Sequence, residues 1–192
     1  MNIKKLEKIW GNEVYQNKNQ RLRINVSDKE KNNYYYGNEI TLLKMHEALS
    51  IQGKDTNINV RAVERLFGYS GYKSFELNIK ELGEAVKQLL SRRKKDDVFI
   101  FDIANSDLIV NYRNNNKKYK LVYSAFYSQE KINNESLNIR FAINRKNIHN
   151  VIKTSEAFGV EKINVKVLSS ISNIIFYSED NFEIVVAPIK LA

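Results

Sequence analysis

Residues 74–102 read SFELNIKELGEAVKQLLSRRKKDDVFIFD, and residues 140–168 read RFAINRKNIHNVIKTSEAFGVEKINVKVL. In the first stretch Phe75, Leu77 and Ile79 alternate as in a strand. Leu82, Ala85, Val86, Leu89 and Leu90 then recur at helical spacing, and Val98 opens a second alternating run. A constant shift of 66 residues lays the second stretch on the first. Phe75 then falls on Phe141, Leu77 on Ile143, Asn78 on Asn144, Leu82 on Ile148, Val86 on Ile152, Phe99 on Val165 and Phe101 on Val167. Identities are few, and Leu89 meets Ser155 while Ile79 meets Arg145, so the match is one of register and apolar pattern.

Outward from this core the same order continues in both copies. After the first helix, strands are expected at 98–104, 108–112 and 119–126, with polar turns at Asn105-Ser106 and at 114–116. The second copy reads as a strand at 137–143, a helix at 146–157 and strands at 163–168, 174–177 and 182–187. Ile109 falls on Ile175 and Ser106 on Ser172, and a short gap brings Tyr119 opposite Phe182. The expected fold is α+β, with two βαβββ repeats at 74–127 and 137–190 forming one domain over 74–192. A small, mainly helical segment at 1–73 precedes it. There a helix is expected at 3–10, a strand at 21–26, a polar loop at 27–33 and helices at 39–49 and 60–67, the last capped by Asn57 or Asn59 and stopped by Gly68.

Composition narrows the function classes. Thirty-one Lys and Arg against 22 Asp and Glu leave a net charge of +9, which suits contact with a polyanion. With no Cys and 2 His, disulfides, thiolate sites and a histidine metal centre are not expected, and no cofactor is called for. Residues 1–10 alternate Lys with apolar side chains and lack the continuous apolar run of a signal peptide, and no stretch approaches the ~20 apolar residues of a membrane span. A cytoplasmic location without membrane contact is the expectation. Catalytic signatures are also missing: there is no phosphate-binding glycine loop, no His-Glu-x-x-His, no Gly-x-Ser-x-Gly, and Asp96, Asp97 and Asp102 lack the spaced Glu-x-Lys of a nuclease. The chain reads as a binding protein and not an enzyme.

Two consecutive strand-helix-three-strand units, with helices opening on Lys or Arg and a final strand reading Phe182-Glu-Ile-Val-Val-Ala-Pro, resemble one domain of the DNA sliding clamps. That family includes the bacterial beta clamps, the eukaryotic and archaeal proliferating-cell clamp and the phage clamps. The resemblance implies two helices side by side on one face of a sheet, directed at the DNA backbone. On the first helix it leaves Lys80, Glu84 and Lys87 outward; on the second, Lys146, Asn150 and Lys153. Lys80 and Lys87 fall on Lys146 and Lys153, each pair about ten ångström apart along its helix at roughly 1.5 Å per residue. Arg145 and His149 flank the second stripe, and Arg92, Arg93, Lys94 and Lys95 close the first helix. Such side chains neutralise phosphates without reading bases, which gives sequence-independent, salt-sensitive binding to double-stranded DNA.

The same resemblance implies a processivity or tethering role in replication, a polymerase or other replication protein as partner, and a homo-oligomer, in the small and divergent form of a phage, plasmid or mobile element. A ring of this family needs about six such domains. Residues 1–73 are too short for a second one, which leaves a six-subunit ring, a degenerate half-domain or an open monomer. Two other readings compete. The helices expected at 39–49 and 60–67, followed by Gly68, are similar to the start of a helix-turn-helix and would serve a transcription or replication-initiation factor. A clamp mimic that contacts only protein is the other. Tyr34-Tyr35-Tyr36 beside Lys29 and Lys31 could stack on single-stranded bases, although such a run is more often half a strand.

Overall fold

A computed structural model describes residues 1–15, 22–51, 58–68, 72–89, 98–104, 107–112, 115–120 and 139–190. The amino-terminal part comprises α1 (Ile3–Tyr15), β1 (Arg23–Asp28), β2 (Asn33–Asn38), β3 (Thr41–Met45) and α2 (Val60–Glu64). The first repeat follows as β4 (Lys73–Asn78), α3 (Ile79–Leu89), β5 (Val98–Ala104), β6 (Asp107–Tyr112) and β7 (Asn115–Lys120). The second is β8 (Ile139–Asn144), α4 (Arg145–Phe158), β9 (Lys162–Val167), β10 (Ile174–Ser178) and β11 (Phe182–Val186). Both repeats therefore have the expected strand-helix-three-strand order.

The equivalence of Asn78 and Asn144 has a physical basis. Each ends a strand and caps the following helix: Asn78 Oδ1 accepts from the Glu81 amide at 3.1 Å, and Asn144 Oδ1 from the Lys146 amide at 2.8 Å. Gly159, at φ 74°, takes the left-handed conformation that closes α4.

The repeats are interlocked. Each leading strand leaves its own meander and pairs antiparallel with the first meander strand of the other repeat, β4 with β9 and β8 with β5. The exchange joins the two repeats through two backbone ladders, and α3 and α4 share one apolar core with strands of both. Phe75 faces Val165, but Phe141 faces Phe101, two residues beyond the position that a strict 66-residue shift would give. Phe101 and Phe141 stack at 5.0 Å and 8°.

The third meander strand of the first repeat corrects the sequence expectation. It occupies Asn115–Lys120, so Asn115 and Asn116, taken for a turn, lie in a strand at the end of the four-stranded sheet β7-β6-β5-β8. Residues 121–126 lie outside the described part. Tyr119 pairs with Leu108 whereas Phe182 pairs with Ser178, at the far end of its strand, so the gapped alignment of Tyr119 with Phe182 does not hold.

The larger correction concerns the amino-terminal segment, which carries as much strand as helix. Residues 39–49 are not helical: Thr41–Met45 form β3, hydrogen-bonded to β2 on one side and β11 on the other. A seven-stranded sheet, β1-β2-β3-β11-β10-β9-β4, runs without a break from the amino-terminal segment into the second repeat. The segment is thus a third helix-plus-meander unit, α1-β1-β2-β3, lacking a leading strand among the described residues. Tyr34, Tyr35 and Tyr36 belong to β2, with Tyr35 and Tyr36 buried.

Gly37 fixes the β2–β3 hairpin. Its φ is +146°, and a Cβ there would collide with the Thr41 carbonyl oxygen. Gly37→Ala is expected to lower the unfolding free energy by about 2 kcal/mol or more, read as a reduced denaturant midpoint with the slope unchanged.

Candidate nucleic-acid interface

Helices α1, α4 and α3 lie side by side on one face, with α4 in the middle. α1 runs antiparallel to α4, as a ladder of contacts traces. The Asn2 amide donates to the Ala157 carbonyl at 2.6 Å, Lys5 Nζ meets Glu156 Oε2 at 2.9 Å, and Trp10 Nε1 donates to Thr154 Oγ1 at 3.1 Å. At the far end Glu13, 5 % exposed, accepts from Asn150 Nδ2 at 2.9 Å and Asn38 Nδ2 at 3.2 Å, and its Oε1 pairs with Lys146 Nζ at 2.7 Å. On the other flank Gly83 of α3 faces Ile152 of α4. Leu6, Trp10, Val14, Leu82, Val86, Ile148, Val151 and Ile152 point into one apolar core shared with the strands.

The cations expected from sequence divide into two kinds. Lys80 and Lys87 are exposed on α3, and among the described residues no carboxylate pairs with them. Lys146 and Lys153, their equivalents on α4, are committed within the protein: Lys146 to Glu13, and Lys153 to Glu156 at 2.8 Å. Partial burial works to raise the Glu156 carboxyl, but the hydrogen bonds and charges of Lys153 and Lys5 together outweigh it and hold the group below its ordinary value. Asn150, expected outward, is buried against Glu13. Arg145 is half-buried and His149 exposed on the helix. Partial desolvation of the ring by the surrounding protein, then the charges of Lys153 and Arg145, push the His149 imidazole below its ordinary value, so at neutral pH it adds little positive charge. Arg92, Arg93, Lys94 and Lys95 lie outside the described residues.

Sequence reasoning missed α1 as part of this face. Leu6, Trp10 and Val14 recur every four residues and are buried, which turns Lys4 and Lys8 to solvent. Those two lysines sit one turn apart, about 6 Å along the axis at roughly 1.5 Å per residue. Among the described residues the open cations of this face therefore lie on the two flanking helices, Lys4 and Lys8 on one side and Lys80 and Lys87 on the other, with the ion-paired α4 between them. Among the described residues no group of three His, Cys, Asp or Glu side chains is placed to hold a metal, and no helix is long and apolar enough to cross a membrane.

This architecture is that of the sliding clamps. The chain superposes on a DNA polymerase III beta subunit from Eubacterium rectale with a TM-score of 0.68 at 9% identity, covering 98% of this chain and 63% of that one. For pol III beta of Caulobacter crescentus the values are 0.67 and 8%, with 100% and 65% covered. For the DNA polymerase sliding clamp of Bacillus subtilis they are 0.66 and 9%, with 99% and 62% covered. The superposition takes in the amino-terminal unit as well as the two repeats, and the chain spans just under two thirds of the length of these proteins. No family model and no curated protein sequence matches it.

Proposed function

We propose that the chain is a clamp-like, non-enzymatic factor that rests its helical face on duplex DNA without reading sequence, in a processivity or tethering role in replication. The observation that carries this reading is the placement of α1, α4 and α3 on one face, with solvent-directed lysines on both flanking helices and a net charge of +9 behind them. Lysine is a point charge on a flexible stem, suited to phosphates along a backbone and poorly suited to fixed base contacts. The proteins it resembles in fold are described as DNA polymerase III beta subunits and sliding clamps, which supports a polymerase or other replication protein as the further partner.

The helix-turn-helix alternative loses its first helix, because 41–45 is a strand in the middle of a sheet. The test is a titration of random duplex, single strand and genomic fragments at two salt concentrations. Equal affinity for all duplexes with a steep salt slope is the expected result. Preference for one fragment would revive sequence reading, and no affinity at low salt would turn the reading to a clamp mimic that binds protein alone.

A further inference from the structure

The three helix-plus-meander units differ at the outer side of their first meander strand. β9 receives β4 and β5 receives β8, whereas β1 ends its sheet, paired with β2 alone among the described residues. An open edge with an uncovered apolar surface invites pairing with another chain. Here residues 49–51, together with α1, cover one face beside that edge, and residues 58–67 cover the other.

On the helix face the Leu49 amide donates to Tyr36 Oη at 2.7 Å, the Ser50 amide to Glu7 Oε1 of α1 at 2.8 Å, and Asn25 Nδ2 of β1 to the Ile51 carbonyl at 3.0 Å. Leu49 and Ile51 are buried in the main core. On the opposite face a second, separate core forms. Val63 of α2 is buried on Ile24, Val26, Tyr35 and Leu42, with Ile58, Val60, Leu66 and Phe67 packed around it. Phe67 meets the Tyr35 ring at 5.8 Å, Lys44 Nζ lies 5.7 Å from the Phe67 ring, and Glu64 holds Lys31 at 2.9 Å. Register assigns the faces: Asn25 pairs with Tyr36, which points to the helices, and Val26 with Tyr35, which points away. The chain is therefore on one face of β1 at Ile51 and on the other at Ile58.

We propose that residues 49–51 and 58–67 act as a strap that takes the place of a partner unit on the amino-terminal half-domain and closes the β1 edge to a second copy of the chain. A connector that only had to span two units would leave these surfaces wet. This one supplies apolar residues on both faces of the strands, and its own backbone groups at Leu49, Ser50 and Ile51 are satisfied by side chains of β2, α1 and β1. The inference stands whether or not the helical face contacts DNA.

The absence of native cysteine allows a clean test. Ser27→Cys places a single thiol on an exposed position of β1. In the otherwise unchanged full chain, oxidation is expected to yield only background disulfide-linked dimer. Adding Val63→Ser, Leu66→Ser and Phe67→Ser should release α2, read as faster trypsin cleavage after Arg61 and Arg65, and raise the linked dimer at least about fivefold. Should circular dichroism show that the triple variant fails to fold, Phe67→Ala alone replaces it, with a smaller rise in both readouts. Equal dimer yield with and without the strap changes, or release of α2 with no gain in dimer, would overturn the proposal.

Discussion

Reversing Lys4, Lys8, Lys80 and Lys87 to Glu together is expected to cut the affinity for random-sequence duplex about a thousandfold at ~0.1 M salt, and to flatten the log–log salt dependence by about three to four units. Each lysine that meets a phosphate releases about one counterion, so the slope counts contacts independently of the affinity itself. The double change Lys146→Glu, Lys153→Glu is a contrast drawn from the same face. These lysines are already paired with Glu13 and Glu156, so their reversal should cost less affinity and more stability. Fluorescence anisotropy across a salt series, beside thermal melts of both variants, separates the two. An equal loss of binding in both would mean that internal pairing does not withdraw α4 from the interface.

The second large effect lies at the seam between the amino-terminal unit and α4. Glu13→Ala removes the acceptor of the buried Asn150 amide and the partner of Lys146, and it leaves the Asn38 amide only its bond to the Glu13 main-chain carbonyl. Lys146 is 49% exposed and can return to water, so most of the cost comes from the stranded Asn150 amide and the weakened hold on Asn38. About 3 kcal/mol is expected, equivalent to a fall in melting temperature of about 6–12 °C for a chain of this size. Glu13→Gln, which keeps one acceptor oxygen, should lose about half as much. Hydrogen exchange should localise the damage in α1, with β9–β11 unchanged. Uniform loss of protection would contradict a seam role.

Much of the carboxy-terminal architecture was legible because β9 alternates, because β8, β10 and β11 are short runs rich in β-branched and aromatic residues between polar turns, and because Asn78 and Asn144 mark the same strand-to-helix junction. β3 was not legible for a physical reason. It lies between two strands with α1 on one face and α2 on the other, so Thr41, Leu42, Leu43 and Met45 are all buried. A strand covered on both faces loses its period of two and reads as a helix. β7 failed in the opposite way: a polar strand at a sheet end looks like a turn. For the candidate interface, sequence periodicity placed Lys80 and Lys87 correctly on an exposed stripe. It could not show that Lys146 would be claimed by Glu13, 133 positions away along the chain, or that α1 would join the helical face, since both depend on the sheet running through β3 and β11.

The central claim is that the helical face, and not the opposite face of the sheet, lies against duplex DNA. Photo-crosslinkers placed singly at Lys8 and Lys87 on the helices, and on the opposite face at Lys31 and at Arg65 of the strap, test it directly, because all four positions are exposed. Crosslinks to random duplex from Lys8 and Lys87 and none from Lys31 and Arg65 are the predicted result. The reverse pattern, or equal yield from both faces, would contradict it.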